Sequence, residues 1–135
     1  MTRARALTAI LAASVALSAA ACAATQSEED KAKATVEEYL KAVTDGDGDV
    51  ACEKVTEATK KNIERGGRSC AETISSLSSG PAKAVLQAFK DADVNNVKLN
   101  GDRGTVDIKV TGMTRQTSLR KEDGKWKLDS TAVAG

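Results

Sequence analysis

Near Asp93 the apolar residues change from helical to strand spacing, and this change constrains the fold more than any other feature of the chain. Before it, Val36, Tyr39, Leu40 and Val43 fall at i, i+3, i+4 and i+7, one stripe on a helix predicted from about Glu28 to Thr44. Glu28, Glu29 and Asp30 in its first turn suit the positive end of a helix dipole. The run Asp45-Gly46-Asp47-Gly48-Asp49 breaks that helix. A second is expected from Asp49, carrying Val50, Ala51, Val55, Ala58 and Ile63 inward and ending at Gly66-Gly67. Ser69 and Glu72 form a capping box that opens a third, with Ile74 and Leu77 as its core residues. A fourth begins at Pro81, where Ala82, Val85, Leu86 and Phe89 repeat the stripe.

After Asp93 the period is two. Residues 94–100 read as a first strand and Gly101–Gly104 as its turn. Val106, Ile108 and Val110 then alternate with Asp107 and Lys109. A third strand over 114–122 turns Thr117 and Leu119 inward, and Asp123-Gly124 is a two-residue hairpin signal. In the last strand Trp126 and Leu128 point in, while Lys125, Lys127 and Asp129 point out. Helices followed by an antiparallel meander with one polar face make an α+β domain, its N-terminal helices packed on a sheet of about four strands.

The first 21 residues have another character. Arg3 and Arg5 precede an uncharged run from Ala6 to Ala21, about 16 residues and so shorter than the ~20 that span a bilayer. A basic head, a short apolar stretch and small residues at its end describe a secretory signal peptide. Ala19-Ala20-Ala21-Cys22 resembles a bacterial lipobox, in which cleavage leaves a lipidated cysteine as the first residue; it departs from the usual pattern in having Ala19 in place of leucine. The domain organisation expected is therefore a signal peptide at 1–21, a lipid-anchored tether at 22–30 and one folded domain at 31–135.

The cysteines support that order. There are three, and an exported chain meets conditions in which disulfides persist. Pairing Cys52 with Cys70 closes a short loop and contributes about 3 kcal/mol on the chain-entropy model. Cys22 is left over, and a thioether to diacylglycerol removes its exposed thiol. Histidine is absent from all 135 residues, which excludes Cys-His zinc sites and Cys-His or Ser-His catalytic pairs. No cofactor is expected.

Twenty basic residues stand against nineteen acidic ones, and without Arg3 and Arg5 the balance is eighteen to nineteen, which gives no electrostatic case for nucleic acid. The charge is unevenly spread. Cys22 to Asp93 holds ten basic and fourteen acidic residues, Val94 to Gly135 eight and five. Either these are two solvated surfaces, or the basic half faces an anionic envelope polymer or lipid headgroups.

Three stretches carry a resemblance: "VEEYLKAVTDGDGDVACEKVT" at 36–56, "SCAE" at 69–72 and "TSLRKEDGKWKLD" at 117–129. Together they are similar to the NTF2-like superfamily (the cystatin-like α+β cone), and more narrowly to small lipoproteins of high-GC Gram-positive bacteria that carry a domain of unknown function. The resemblance implies a curved sheet forming a cone, over about residues 31 to 131. It does not imply an activity, because the superfamily hosts both enzymes and binding modules.

Its ketosteroid-isomerase-like members pair an Asp base with a Tyr hydroxyl in an apolar mouth. Here that role would fall to Tyr39 with Asp93 or Asp107, but packing accounts for Tyr39 and the alternation sends Asp107 to the polar face. "DGDGD" imitates an EF-hand loop, yet Val50 stands where glycine is required and Thr56 where the bidentate glutamate belongs. The expectation is a non-catalytic lipoprotein on the extracytoplasmic face of the cell membrane. Its domain would dock a second copy or an envelope protein through the outward sheet positions Lys109, Arg120, Lys125 and Lys127. The alternative is a small apolar ligand or lipid held in the cone.

Overall fold

The computed structural model describes residues 25–130, so Cys22 and the leader lie outside the described residues. Five helices precede four strands: α1 (Glu28–Asp45), α2 (Gly48–Glu53), α3 (Glu57–Glu64), α4 (Cys70–Ser79), α5 (Lys83–Ala88), then β1 (Asp93–Asn100), β2 (Arg103–Val110), β3 (Met113–Glu122) and β4 (Lys125–Leu128). The strands form an antiparallel meander in the order β1-β2-β3-β4. This is the expected α+β architecture. None of the helices among the described residues is long and apolar enough to cross a membrane.

α1 lies on the inner face of the sheet, against β1 and β4. Its stripe buries Val36 and Val43 fully and Tyr39 and Leu40 in part, with Ala32 and Ala42 completing the contact. From the sheet come Val94, Val106, Ile108, Leu119, Trp126 and Leu128, all buried. Ser27 caps α1 by accepting from the Asp30 amide at 3.1 Å. Residues 28–30, placed in the tether by sequence, are thus the first turn of the domain.

The "DGDGD" run is a helix–helix turn. Gly46 closes α1 at φ 78°, in the left-handed region that favours glycine. Asp47 caps α2 through the Val50 amide. Gly48 lets α2 approach α4 so closely that a Cβ there would lie 2.1 Å from the Ala71 carbonyl oxygen. Asp45 is paired with Lys41. The Cys52–Cys70 disulfide joins α2 to α4 with a Cα–Cα distance of 6.1 Å.

Four expectations need correction. The second helix is two, α2 and α3, separated by the Lys54–Thr56 segment, which leaves the helix after Lys54 and joins the sheet at Val55. Leu128 donates to the Lys54 carbonyl at 2.8 Å, and the Thr56 amide donates to the Leu128 carbonyl at 2.9 Å. Thr56 then caps α3, and the buried residues there are Thr56 and Thr59, with Ala58 exposed. Val50, Leu77 and Val85 are not core residues: they are 38%, 39% and 63% exposed. Val50 and Val85 lie on the six-residue helices α2 and α5, too short to bury a full stripe, and Leu77 lies in the last turn of α4, past its buried residues Cys70 and Ile74. The last helix starts at Lys83, with Pro81 in the preceding turn. Asp129 does not point to solvent. It is 5% exposed, since the chain leaving β4 stays bonded to β3, its amide donating to the Ser118 carbonyl at 2.9 Å.

Candidate functional site

Neighbours directly opposite in an antiparallel sheet share a face, so the register sorts the side chains. Leu99, Gly104, Leu119 and Leu128 are consecutive partners across all four strands, on the inner face. The flanking rows face outward. On one side Asn100, Arg103, Arg120 and Lys127 are consecutive partners; on the other are Lys98, Thr105 and Ser118, with Asp129 bonded at the end. The two rows wall a trough of about 390 Å³ on the outer face, floored by the backbone of Leu99, Gly104 and Leu119. Gly104 keeps that floor thin, because the Leu99 side chain fills the space below it and a Cβ would meet Leu99 Cδ2 at 2.5 Å.

Adjacent strands lie about 5 Å apart, so Arg103, Arg120 and Lys127 set three cations at that spacing. Arg120 Nε lies 3.6 Å from Asp129 Oδ2, and Lys127 Nζ lies 3.9 Å from Glu122. Arg103 and Lys98 are exposed and carry no ion pair among the described residues. The trough lining totals three cations against Asp129.

A second concavity lies beside the trough, lined by Lys127, the strand partner of Arg120. β4 is an edge strand closed only at Leu128, by the Lys54–Thr56 segment. Before that point a groove of about 510 Å³ runs between β4 and the helices, with Trp126 and Cys52 in its lining. Its cations are Lys31, Lys54, Lys60, Lys125 and Lys127, against Glu53 and Glu57. Lys31 is paired with Glu28 and Lys54 with Glu38; Lys125 is exposed.

The wall between groove and core is a latch on α1. Glu28 Oε2 accepts from Lys121 Nζ at 2.6 Å and from Trp126 Nε1 at 3.0 Å, while Lys31 holds Oε1 at 2.8 Å. Lys121 also sits 5.6 Å from the centre of the Trp126 ring. The lysine and indole donors hold the Glu28 carboxyl well below its ordinary value, at about 2.

Of the four outward residues singled out in the sequence, Arg120, Lys127 and Lys125 come together here. Lys109 does not: it pairs with Asp93 and Thr114, six residues along β2 from Arg103, or about 20 Å at strand rise. Sequence reasoning missed Arg103 and Lys98 for definite reasons. By sequence Arg103 falls in the Gly101–Gly104 turn, but β2 starts there. Simple alternation from Val94 sends Lys98 inward; a bulge between Asn95 and Lys98, with Asn96 at φ 51°, reverses the parity.

The isomerase-type pair is not assembled. Asp107 is on the outer face, where Asn96 Nδ2 donates to it at 2.6 Å and Gln116 Nε2 at 3.4 Å, and Asp93 is exposed. Tyr39 packs on α1 against the core, and burial raises its phenol above the ordinary 10. A third concavity, about 510 Å³, lies between α1 and the start of β1, with Leu40, Phe89, Ala92 and Val94 as its apolar wall.

No protein-family model matches the chain. No curated protein matches it. Among solved structures it is similar to a Campylobacter jejuni protein provisionally named an NTF2-like transpeptidase: TM-score 0.51, 18% identity, 72% of this chain and 95% of that chain covered. At that identity the likeness is one of fold.

Proposed function

From an NTF2-like fold with eight cations against three carboxylates in two adjoining concavities, we propose a non-catalytic binding module of the cell envelope, held to the membrane by a lipid on Cys22. The concentration of charge is the observation that carries the reading. Four of these cations are met by carboxylates, Lys31 by Glu28, Lys54 by Glu38, Lys127 by Glu122 and Arg120 by Asp129, whereas Lys98, Arg103, Lys60 and Lys125 carry no ion pair among the described residues. In a mature chain with one more acid than base, these four point to an anionic partner. The outer row at Arg120 and the β4 edge at Lys125 and Lys127 are the docking surface.

The anchor rests on the leader and on cysteine use: Cys52 and Cys70 are bonded to each other, leaving Cys22 for lipid. Against transpeptidase chemistry stand the same disulfide, which consumes both cysteines of the domain as nucleophiles, and a chain with no histidine to serve as base. Cys22→Ser tests the anchor by cell fractionation and intact mass. The variant is expected in the medium or uncleaved; a processed form retained at the membrane would refute the anchor. Incubation with a peptide acyl donor tests catalysis, and an acylated intermediate by mass would overturn the non-catalytic reading.

The α1–β1 groove favours a second reading, a small apolar ligand held by Leu40, Phe89, Ala92 and Val94. Native mass spectrometry of the protein from its own host distinguishes it: this reading requires a co-purifying lipid-like mass.

A further inference from the structure

The trough and the groove adjoin across the β3–β4 pair, with the unpaired cations Lys98 and Arg103 on one side, Lys125 and Lys60 on the other, and the ion-paired Arg120 and Lys127 between them. The path of this band selects the form of its ligand. Arg120 lines the trough and Lys127 lines the groove, and the two are direct partners on β3 and β4. From Lys98 and Arg103 the band crosses the outer face of the sheet, passes Arg120 and Lys127, and turns around the open edge of β4. It ends among Lys54 and Lys60 of the helical layer and Lys31 on α1, at the inner side of the sheet.

A surface that turns an edge and is concave on both sides of it cannot be matched by a flat bilayer, because only one side would reach the headgroups. A flexible chain can enter both concavities. Nucleic acid is disfavoured on separate grounds, since single strands are held by bases stacking on exposed aromatics. The aromatic residue in the band is Trp126, which is buried and held by Glu28.

Building on the binding-module reading, we propose that the Lys98–Arg103–Arg120–Lys127–Lys125–Lys60 band binds a linear polyanion, a flexible chain with repeated phosphate-type groups, that runs from the outer face of the sheet around β4. The guanidinium of Arg103 offers a fork of donors to a phosphate, and the lysines add point charges along the path. Thr105 adds a hydroxyl on the trough wall. In this arrangement a single phosphate gains little, and affinity comes from the number of charges met at once.

The probe is long-chain polyphosphate, titrated into the mature chain from residue 22 with Cys22→Ser, followed by Trp126 fluorescence and by calorimetry. Binding is expected to be much tighter than for inorganic phosphate and to weaken steeply with salt through counterion release. Lys98→Gln with Arg103→Gln, and separately Lys60→Gln with Lys125→Gln, should each weaken it by about tenfold and lower the salt slope by about 2. Lys109→Gln with Arg115→Gln, at the far end of the same sheet, removes equal charge and should change affinity by less than about twofold. Circular dichroism of each variant separates lost binding from lost folding. Equal loss in the far-end pair would overturn the proposal, because binding would then follow net charge. So would polyphosphate binding no tighter than phosphate, or attachment to phosphatidylglycerol vesicles without polyphosphate binding. None of these outcomes touches the lipid anchor or the absence of catalysis, which Cys22→Ser and the acyl-donor assay decide separately.

Discussion

The helical and sheet halves of this domain are held by different means. Five helices share the first half, and two of them, α2 and α5, have six residues each. Helices that short have no independent stability, and here they depend on point devices: the Cys52–Cys70 bond, the side-chain caps at Ser27, Asp47, Thr56 and Ser69, and the Gly48 contact. The sheet half has no covalent cross-link. Its strands are continuous with two-residue turns, of which Thr111-Gly112 and Asp123-Gly124 have positive φ at both positions, as tight hairpins require. Local fasteners hold one half, then, and a repeating ladder over a common core holds the other. The proposed binding surface follows the same division: the helical layer closes one side of the groove, while the ladder spaces the cations.

The largest effect expected is in the shared core. Leu119 is fully buried on the inner face of the sheet, in the common core, and Leu119→Ala should cost about 2–5 kcal/mol by urea denaturation. Because both halves pack on this core, protection from hydrogen exchange should fall in both together. The disulfide is expected to behave differently. Replacing Cys52 and Cys70 by alanine should cost about 3 kcal/mol, and exchange should accelerate first in α2 and α4, with β2 and β3 retaining their order of protection. If β2 and β3 open along with α2, the two halves are one cooperative unit and the contrast drawn above fails.

A smaller effect tests the closest helix contact. In Gly48→Ala the new methyl would lie 2.1 Å from the Ala71 carbonyl oxygen and 2.7 Å from Ser75 Oγ. Moving α2 away from α4 should cost about 1–3 kcal/mol. The disulfide ties the same two helices, so the costs of the two variants should not be additive. Additivity would mean that the bond and the contact restrain different motions.

The two halves were also unequally legible. In the sheet, alternation placed Val106, Ile108, Leu119, Trp126 and Leu128 inward as they are found, because a two-residue period leaves little freedom once the hairpins are fixed. It does not anticipate the bulge that turns Lys98 outward, and at Asp129 it gives the outer row but not the burial. In the helices, α1 was legible from its stripe and α4 from its capping box. The break at Lys54–Thr56 was not: no glycine or proline marks it, and its cause is pairing with Leu128, more than seventy residues away. The cationic band suffered similarly, since Lys31, Lys54 and Lys60 reach Lys127 only when α1 and the Lys54–Thr56 segment meet β4. Glu28 looked like a first-turn acid suited to the dipole, and its bonds to Lys121 and Trp126 were invisible at that range.

Glu28 joins the two halves, and pH isolates its contribution. Its carboxyl titrates at about 2 in the folded chain against an ordinary 4.5, through the Lys121, Lys31 and Trp126 donors. A lowered folded value means that the unfolded chain binds the proton more readily. The stabilisation is therefore complete above about pH 4.5 and is lost as pH falls toward 2. Glu28→Gln keeps an acceptor for the indole and the ammonium but removes the charge, so its stability should lack this dependence. Urea midpoints of the two proteins should differ by a constant amount from pH 5 to 7 and converge on acidification, which makes this the mildest of the effects and the most specific in form. A gap that stays constant down to pH 2 would show that the latch works by neutral hydrogen bonds, and that charge contributes nothing to fastening the first helix to the sheet.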